Sequence, residues 1–149
     1  MNLYDLYPHW KTRTERVRES LNNLTKEQLE FRHREDMRSL GNLYRHIIAA
    51  EIYWFHDVVG NSGNKYKEIE DDELPDAESI LNKWEEVRAK SQELVATFSM
   101  ADLSNKFKNF KNREYELSYI IWHVAEHEIH HSGQISQMLR VLRLNSPIF

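Results

Sequence analysis

The residues best suited to chemistry in this chain are its histidines. There are eight among 149 residues and no cysteine, which excludes disulfides, thiolate metal sites and a cysteine nucleophile and leaves imidazole as the only soft metal ligand. Four of them fall between positions 123 and 131. Taking about 100° per residue with His131 at zero, Leu117, Ile120, Ile121, Val124, Ile135, Met138, Leu139 and Leu142 lie within about −20° to +80°, an apolar face that should be buried. His131 falls inside that arc, Glu128 sits in it at about +60°, and His127 borders it at about −40°. Three polar residues thus interrupt one turn of a core stripe, where an unpartnered ionisable group costs roughly 1–3 kcal/mol or more. A His-x-x-x-His pair facing the inside of a bundle is one way such folds hold a metal ion, and a pair of hydrogen-bonded core histidines is the other reading. His123 at about −80° and His130 at about −100° point to the helix flank.

Two imidazoles are too few to hold an ion, so a third ligand must come from another helix. His46 is the best candidate, since it precedes the apolar run Ile47-Ile48-Ala49-Ala50. Setting Ile47 at zero puts Glu51 on that helix's core stripe and His46 at about −100°, so His46 reaches the interior only if the helix is covered on more than one side. On the wheel alone, a flank histidine bonded to a backbone carbonyl fits as well. Glu128, beside a histidine and on the core side, is the candidate catalytic base or ligand-orienting carboxylate; a hydrogen bond to a histidine or to the first helix is its alternative, and Glu51 carries the same two readings. His56 suits a helix C-terminal dipole, while His9 and His33 show no convergent pattern.

Four helices are needed to position these groups. Leu3, Tyr7, Trp10, Thr14, Val17 and Leu21 recur at helical spacing and predict a first helix over 5–22. After a polar stretch over 25–38, Ser39 is a natural N-cap for a second helix carrying Leu40, Leu43, Ile47, Ala50, Trp54 and Val58, with Gly60 to stop it. A charged connector over 61–73 leads to Pro75 and Asp76, which open a third helix with Ile80, Trp84, Val87, Ser91, Leu94 and Phe98 inside and a Glu86–Lys90 pair outside. A basic connector follows, with room for short extended pieces, before a fourth helix over 116–143. Gly133 inside that helix reads as close approach of a neighbouring helix, and Trp122 with Ile129, opposite the core face, as a subunit interface. With only four Gly and three Pro, the chain lacks the turns of a β-sandwich or barrel. The expectation is one all-α domain over 1–149, an up-and-down-type four-helix bundle with long connectors.

The segments His46-Ile-Ile-Ala-Ala-Glu51-Ile-Tyr-Trp54 and His123-Val-Ala-Glu-His127-Glu-Ile-His-His131-Ser-Gly-Gln134 carry a resemblance to the DinB/YfiT-like superfamily, whose members are regarded as metal-dependent enzymes. The second segment is the more specific, and the order and spacing of both match over most of the chain. The resemblance assigns the three metal ligands to His46, His127 and His131. It implies a divalent ion with its remaining side open to water or substrate, and imidazoles suit zinc, nickel, iron or copper. Relatives include transferases and isomerases that use low-molecular-weight thiols, so the implied activity is thiol S-transfer or hydrolysis on a small molecule; family members often dimerise. One departure is Ser132, where the family often has Arg; an outward-facing residue there would alter surface contacts and leave the ligands intact.

Other classes are weighed by charge and hydropathy. A net charge of −4 gives no global reason to expect nucleic acid or an anionic membrane as partner. The first twenty residues have no signal-peptide core and no apolar run approaches a membrane span, so a cytoplasmic setting is expected. A noncatalytic metal- or ligand-binding bundle is the alternative function. A third possibility, nucleic-acid binding through Lys106, Lys108, Lys111 and Arg113 with Phe107 and Phe110 stacking, is weaker than a solvated connector anchored by two rings.

Overall fold

A computed structural model describes residues 1–146; the last three residues of the expected domain lie outside it. The chain forms a four-helix bundle with short additions. Helix α1 spans Pro8–Glu19, α2 Lys26–Glu30, α3 Leu40–Glu51, α4 Ala77–Ala96 and α5 Leu117–Val141. Helix α3 runs directly into a π-helical segment, Ile52–Val59, and a 3-10 turn, Met100–Ser104, precedes the antiparallel hairpin of β1 (Lys106–Lys108) and β2 (Glu114–Glu116). Among the described residues, no helix is long and apolar enough to cross a membrane.

The starts of α3 and α4 follow their sequence signals. Ser39 and Asp76 each accept from the third backbone N–H of their helix, and Asn42 and Ser79 return a bond to the cap, closing both helix ends. The first helix is shorter than 5–22. Pro8 occupies its first turn, and beyond Ser20 the chain tightens into bonds from Leu21 to Arg18 and Asn22 to Glu19 before Asn23 turns left-handed at φ 66°. Leu3 and Leu21 are buried even so, because the flanking turns lie on the same face. Helix α2 occupies part of the stretch read as polar connector. Its signal is a capping box of Thr25 and Gln28 with one buried residue, Leu29, too little for a periodicity to show.

The fourth helix buries a wider arc than its large apolar residues outline. Ala125, Glu128, Ser132 and Ser136 are buried along with Leu117, Ile120, Ile121, Val124, Ile135, Met138 and Leu139, which turns the centre of the face by about 30° from the expected one. Ser132 is therefore not outward-facing: it is buried and its hydroxyl donates to the Glu128 carbonyl at 2.6 Å. His131 and His127 come to the edge of the buried face, half-covered.

The interior has two apolar halves. One gathers Val17, Tyr44, Ile48, Trp84 and Leu139, and the other Trp10, Phe55, Val95, Leu117 and Ile120. Thr14 of α1, Glu51 of α3, Arg88 of α4 and Glu128 of α5, all buried, are joined by hydrogen bonds into a polar network to which each long helix contributes one residue.

Candidate metal centre

Helix α3 is covered on nearly every side; residues 43–45 and 47–51 are buried and His46 is half-buried. That coverage brings the flank position of His46 against α5. His46 Nε2 stands 3.1 Å from His127 Nε2, which stands 3.2 Å from His131 Nε2. Ligand atoms of the three residues all lie within 4.8 Å of one another. Two nitrogens held about 2.0–2.1 Å from one tetrahedral ion are roughly 3.3 Å apart, closing toward about 2.9 Å as the angle narrows to a right angle. The two spacings to His127 lie in that span, and the third pair, within 4.8 Å, closes onto a shared ion with a modest ring movement, so the donor set fits a divalent ion.

The outer nitrogens are also engaged. Glu68 Oε1 lies 2.8 Å from His46 Nδ1, and the Tyr66 hydroxyl lies 2.9 Å from the same nitrogen. Burial alone would raise the Glu68 carboxyl, but the bonds and charges of Arg38, His46 and Tyr66 bring it below the ordinary value. An ionised carboxylate only accepts, so His46 carries its proton on Nδ1 and presents the Nε2 lone pair to the cluster. Likewise His131 Nδ1 donates to Gln134 Oε1 at 2.6 Å. The Nε2 lone pairs of His46 and His131 thus both face His127 Nε2, an arrangement that a proton on His127 satisfies at one contact and a shared cation satisfies at all three nitrogens.

Electrostatics keep the cluster neutral. Burial, followed by the mutual repulsion of the neighbouring imidazoles, pushes His127 down to about 3. Burial likewise pushes His131 down to about 4 against the support of Gln134, and lowers His46. Neutral imidazole is the metal-binding form.

Glu128 faces away from this chemistry. Its Oε1 accepts from the Thr14 hydroxyl, and its Oε2 from Trp10 Nε1 at 3.0 Å and Arg88 Nη2 at 2.6 Å. The reading of Glu128 as a base is corrected accordingly: both oxygens are consumed by partners in α1 and α4, and the bond to the first helix is the arrangement present. Glu51 takes the bidentate fork of Arg88, at 2.8 and 2.9 Å, and is likewise structural.

The remaining histidines stay outside the converging set, although the His123 ring lies 6.2 Å from His127 and the His130 ring 4.9 Å from His131. His123 packs half-buried against Trp54 and Tyr119, His56 Nε2 lies 3.1 Å from the Ser91 hydroxyl, and His130 is exposed. In the hairpin, Lys106 and Lys108 stand 3.9 and 3.8 Å from Glu114, so part of the basic run is neutralised locally.

Two site residues went unread in the sequence. Tyr66 and Glu68 sit in the 61–73 connector, where no periodicity marks them. Arg88 was more accessible to reasoning, because it follows Trp84 by four and shares the buried side of α4.

Comparison with known proteins places this geometry. The DinB superfamily model matches residues 9–135. The chain belongs to the DinB superfamily. Among solved structures, a DinB-like protein from Bacillus cereus is similar at 22% identity and a TM-score of 0.75, covering 95% of this chain and 93% of that one. A DinB-like protein, YjoA, from Bacillus subtilis is similar at 16% identity and a TM-score of 0.71, covering 95% and 94%. YfiT from Bacillus subtilis, described as a probable metal-dependent hydrolase with an unusual four-helix bundle topology, is similar at 17% identity and a TM-score of 0.58, covering 93% and 88%. At these identities the likeness of this DinB-superfamily chain to the three structures concerns the fold. No curated protein matches the sequence.

Proposed function

We propose that this DinB-superfamily protein is a metal-dependent enzyme acting on a small molecule, by thiol S-transfer or hydrolysis, with His46, His127 and His131 holding a divalent ion. The observation that carries the reading is the convergence of three Nε2 atoms from two helices, with Glu68 and Gln134 fixing two of the rings from behind. The description of YfiT as a probable metal-dependent hydrolase supports it. When bound, such an ion supplies Lewis acidity that acidifies a water or a substrate thiol. The chain contributes the rest. Three neutral imidazoles occupy one side of the ion position and leave the other to substrate, and Glu68 keeps His46 in the ligating tautomer. With no cysteine in the chain, a sulfur nucleophile would arrive on a cosubstrate.

The test is metal content of untagged protein by mass spectrometry. Wild-type protein should retain close to one divalent ion per chain, and His127→Ala and His131→Ala should each lose most of it. Retention by both variants would refute the site. We also propose a homodimer, formed through the exposed α5 stripe of Trp122 and Ile129 (42% and 40% accessible). Light scattering should give twice the chain mass, with Trp122→Glu shifting it to the monomer; a wild-type monomer would refute the interface.

A further inference from the structure

Arg38 stands beside the histidine centre with most of its hydrogen-bonding capacity unspent. It precedes Ser39, the cap of α3, and Arg38, Asn42 and His46 follow one another at four-residue spacing along the flank that the 61–73 connector crosses. The connector meets all three. Glu68 Oε1 accepts from Arg38 Nη2 at 2.8 Å and from His46 Nδ1 at 2.8 Å, and Asp71 accepts from Asn42 at 2.6 Å between them. One carboxylate oxygen and one imidazole ring therefore separate the guanidinium from the ligating Nε2 of His46. Burial lowers His46 and His131, and the charge of Arg38 lowers both further, as it does only from close by.

This rim is open. An arginine carries five N–H donors, and among the described residues Arg38 bonds through Nη2 alone, with its side chain 43% accessible. On the facing helix, Gln134 spends its carbonyl oxygen on His131 and is exposed, and its amide N–H groups have no partner among the described residues. The His46 and His131 rings that Arg38 and Gln134 flank are 4.9 Å apart. Trp122 and Ile129 lie about 160–180° from His131 around α5, so a dimer through them leaves the rim uncovered. Charge also favours an anion here. The three ligands are neutral, Glu51 and Glu128 are held by Arg88, and Glu68 is held by Arg38, His46 and Tyr66. Neither the ligands nor the carboxylates beside them are free to offset a divalent ion.

We infer that the small molecule taken by the three-histidine centre carries a carboxylate, which Arg38 binds beside the Gln134 amide while the molecule's other end occupies the open side of the ion position. This rests on the metal-site reading above. The planar guanidinium fork matches a carboxylate, and a short chain bridges the one ring that lies between the two ends. With Glu68 already against Arg38, a single negative charge is accommodated better than the double charge of a phosphate.

The monohydroxamate of succinic acid and its terminal amide share a metal-chelating head and a chain length, and they differ in the charge at the far end. Zinc uptake is measured by calorimetry, and the dissociation constants of both probes by NMR titration of zinc-saturated and metal-free protein. The carboxylate probe should bind zinc-saturated protein about three- to tenfold more tightly than the amide. Arg38→Gln should bring that ratio to one and Arg38→Lys should keep part of it, whereas Arg34→Gln, on the same loop and paired with Asp36, should leave it whole. If Arg38→Gln weakens zinc binding yet keeps the ratio, Arg38 serves Glu68 alone and the carboxylate seat is overturned. Equal binding of the two probes, or binding of neither, in protein that takes up zinc overturns it as well. A carboxylate preference that depends on Arg38 in protein that refuses zinc keeps the seat and overturns the metal reading, and refusal of zinc with no preference overturns both.

Discussion

Glu68 decides which nitrogen of His46 is available. Removing its carboxylate frees the ring to take the other tautomer or rotate, and outer-shell partners of this kind are worth about 10–100-fold in metal affinity. Glu68→Ala should therefore weaken zinc binding by roughly that factor in a calorimetric titration, with the fold intact by circular dichroism; unchanged affinity would show that the 2.8 Å contact does not orient the ligand. The imidazoles also give the metal-free protein a pH dependence of definite sign. Free histidine takes its proton near 6.5, whereas His127 in the fold waits until about 3 and His131 until about 4, burial being the larger cause in both. Between those values the unfolded chain binds more protons, so stability present above pH 6.5 is lost as the pH falls toward 4. Urea unfolding of metal-free protein at pH 7 and pH 4.5 should show that loss, and His127→Asn should reduce it. An identical loss in the variant would remove His127 from the explanation. At this scale the sequence reveals His127 and His131 as polar intrusions on an apolar face, but it cannot reveal Glu68, whose role depends on how a non-periodic connector folds back over α3.

Two glycines show how differently one residue type is used by neighbouring elements. A Cβ on Gly60 would stand 2.2 Å from the His56 carbonyl oxygen, so the close turn that ends the π-helical segment admits only glycine, while the left-handed residue is Asn61 at φ 54°. A Cβ on Gly133 would meet nothing within 4 Å, which removes the expected close approach of another helix. The same substitution should thus have opposite signs. Gly133→Ala should stabilise α5 by about 0.5–1 kcal/mol, and Gly60→Ala should destabilise by about 1–3 kcal/mol. Urea unfolding measures both, and matching signs would overturn the assignment. The long helices were legible because Ser39 and Asp76 cap runs of three to six turns. The π segment was not, since its stripe of Trp54 and Val58 reads the same at α-helical spacing and the difference lies in the hydrogen-bond partner.

Over the whole molecule, the four long helices are tied together by one guanidinium. Arg88 reaches Glu51 in α3, Glu128 in α5 and Thr14 in α1, and burial opposes its charge while the two carboxylates more than restore it, raising it well above the ordinary value. The network flanks the metal site on both of its helices: Glu51 lies five residues from His46, and Glu128 adjoins His127. Two carboxylates would be left buried against each other if Arg88 were lost, and breaking a buried pair from one side costs about 3–5 kcal/mol. Replacing the whole set with apolar residues removes the charges that need compensation and costs far less. Arg88→Met should therefore be more damaging than the triple variant Glu51→Leu, Arg88→Met, Glu128→Leu in urea unfolding at neutral pH, even though the triple variant carries more changes. The opposite ranking would mean that the layer contributes net attraction in its own right, and that the histidines owe their register to it rather than to the apolar halves on either side.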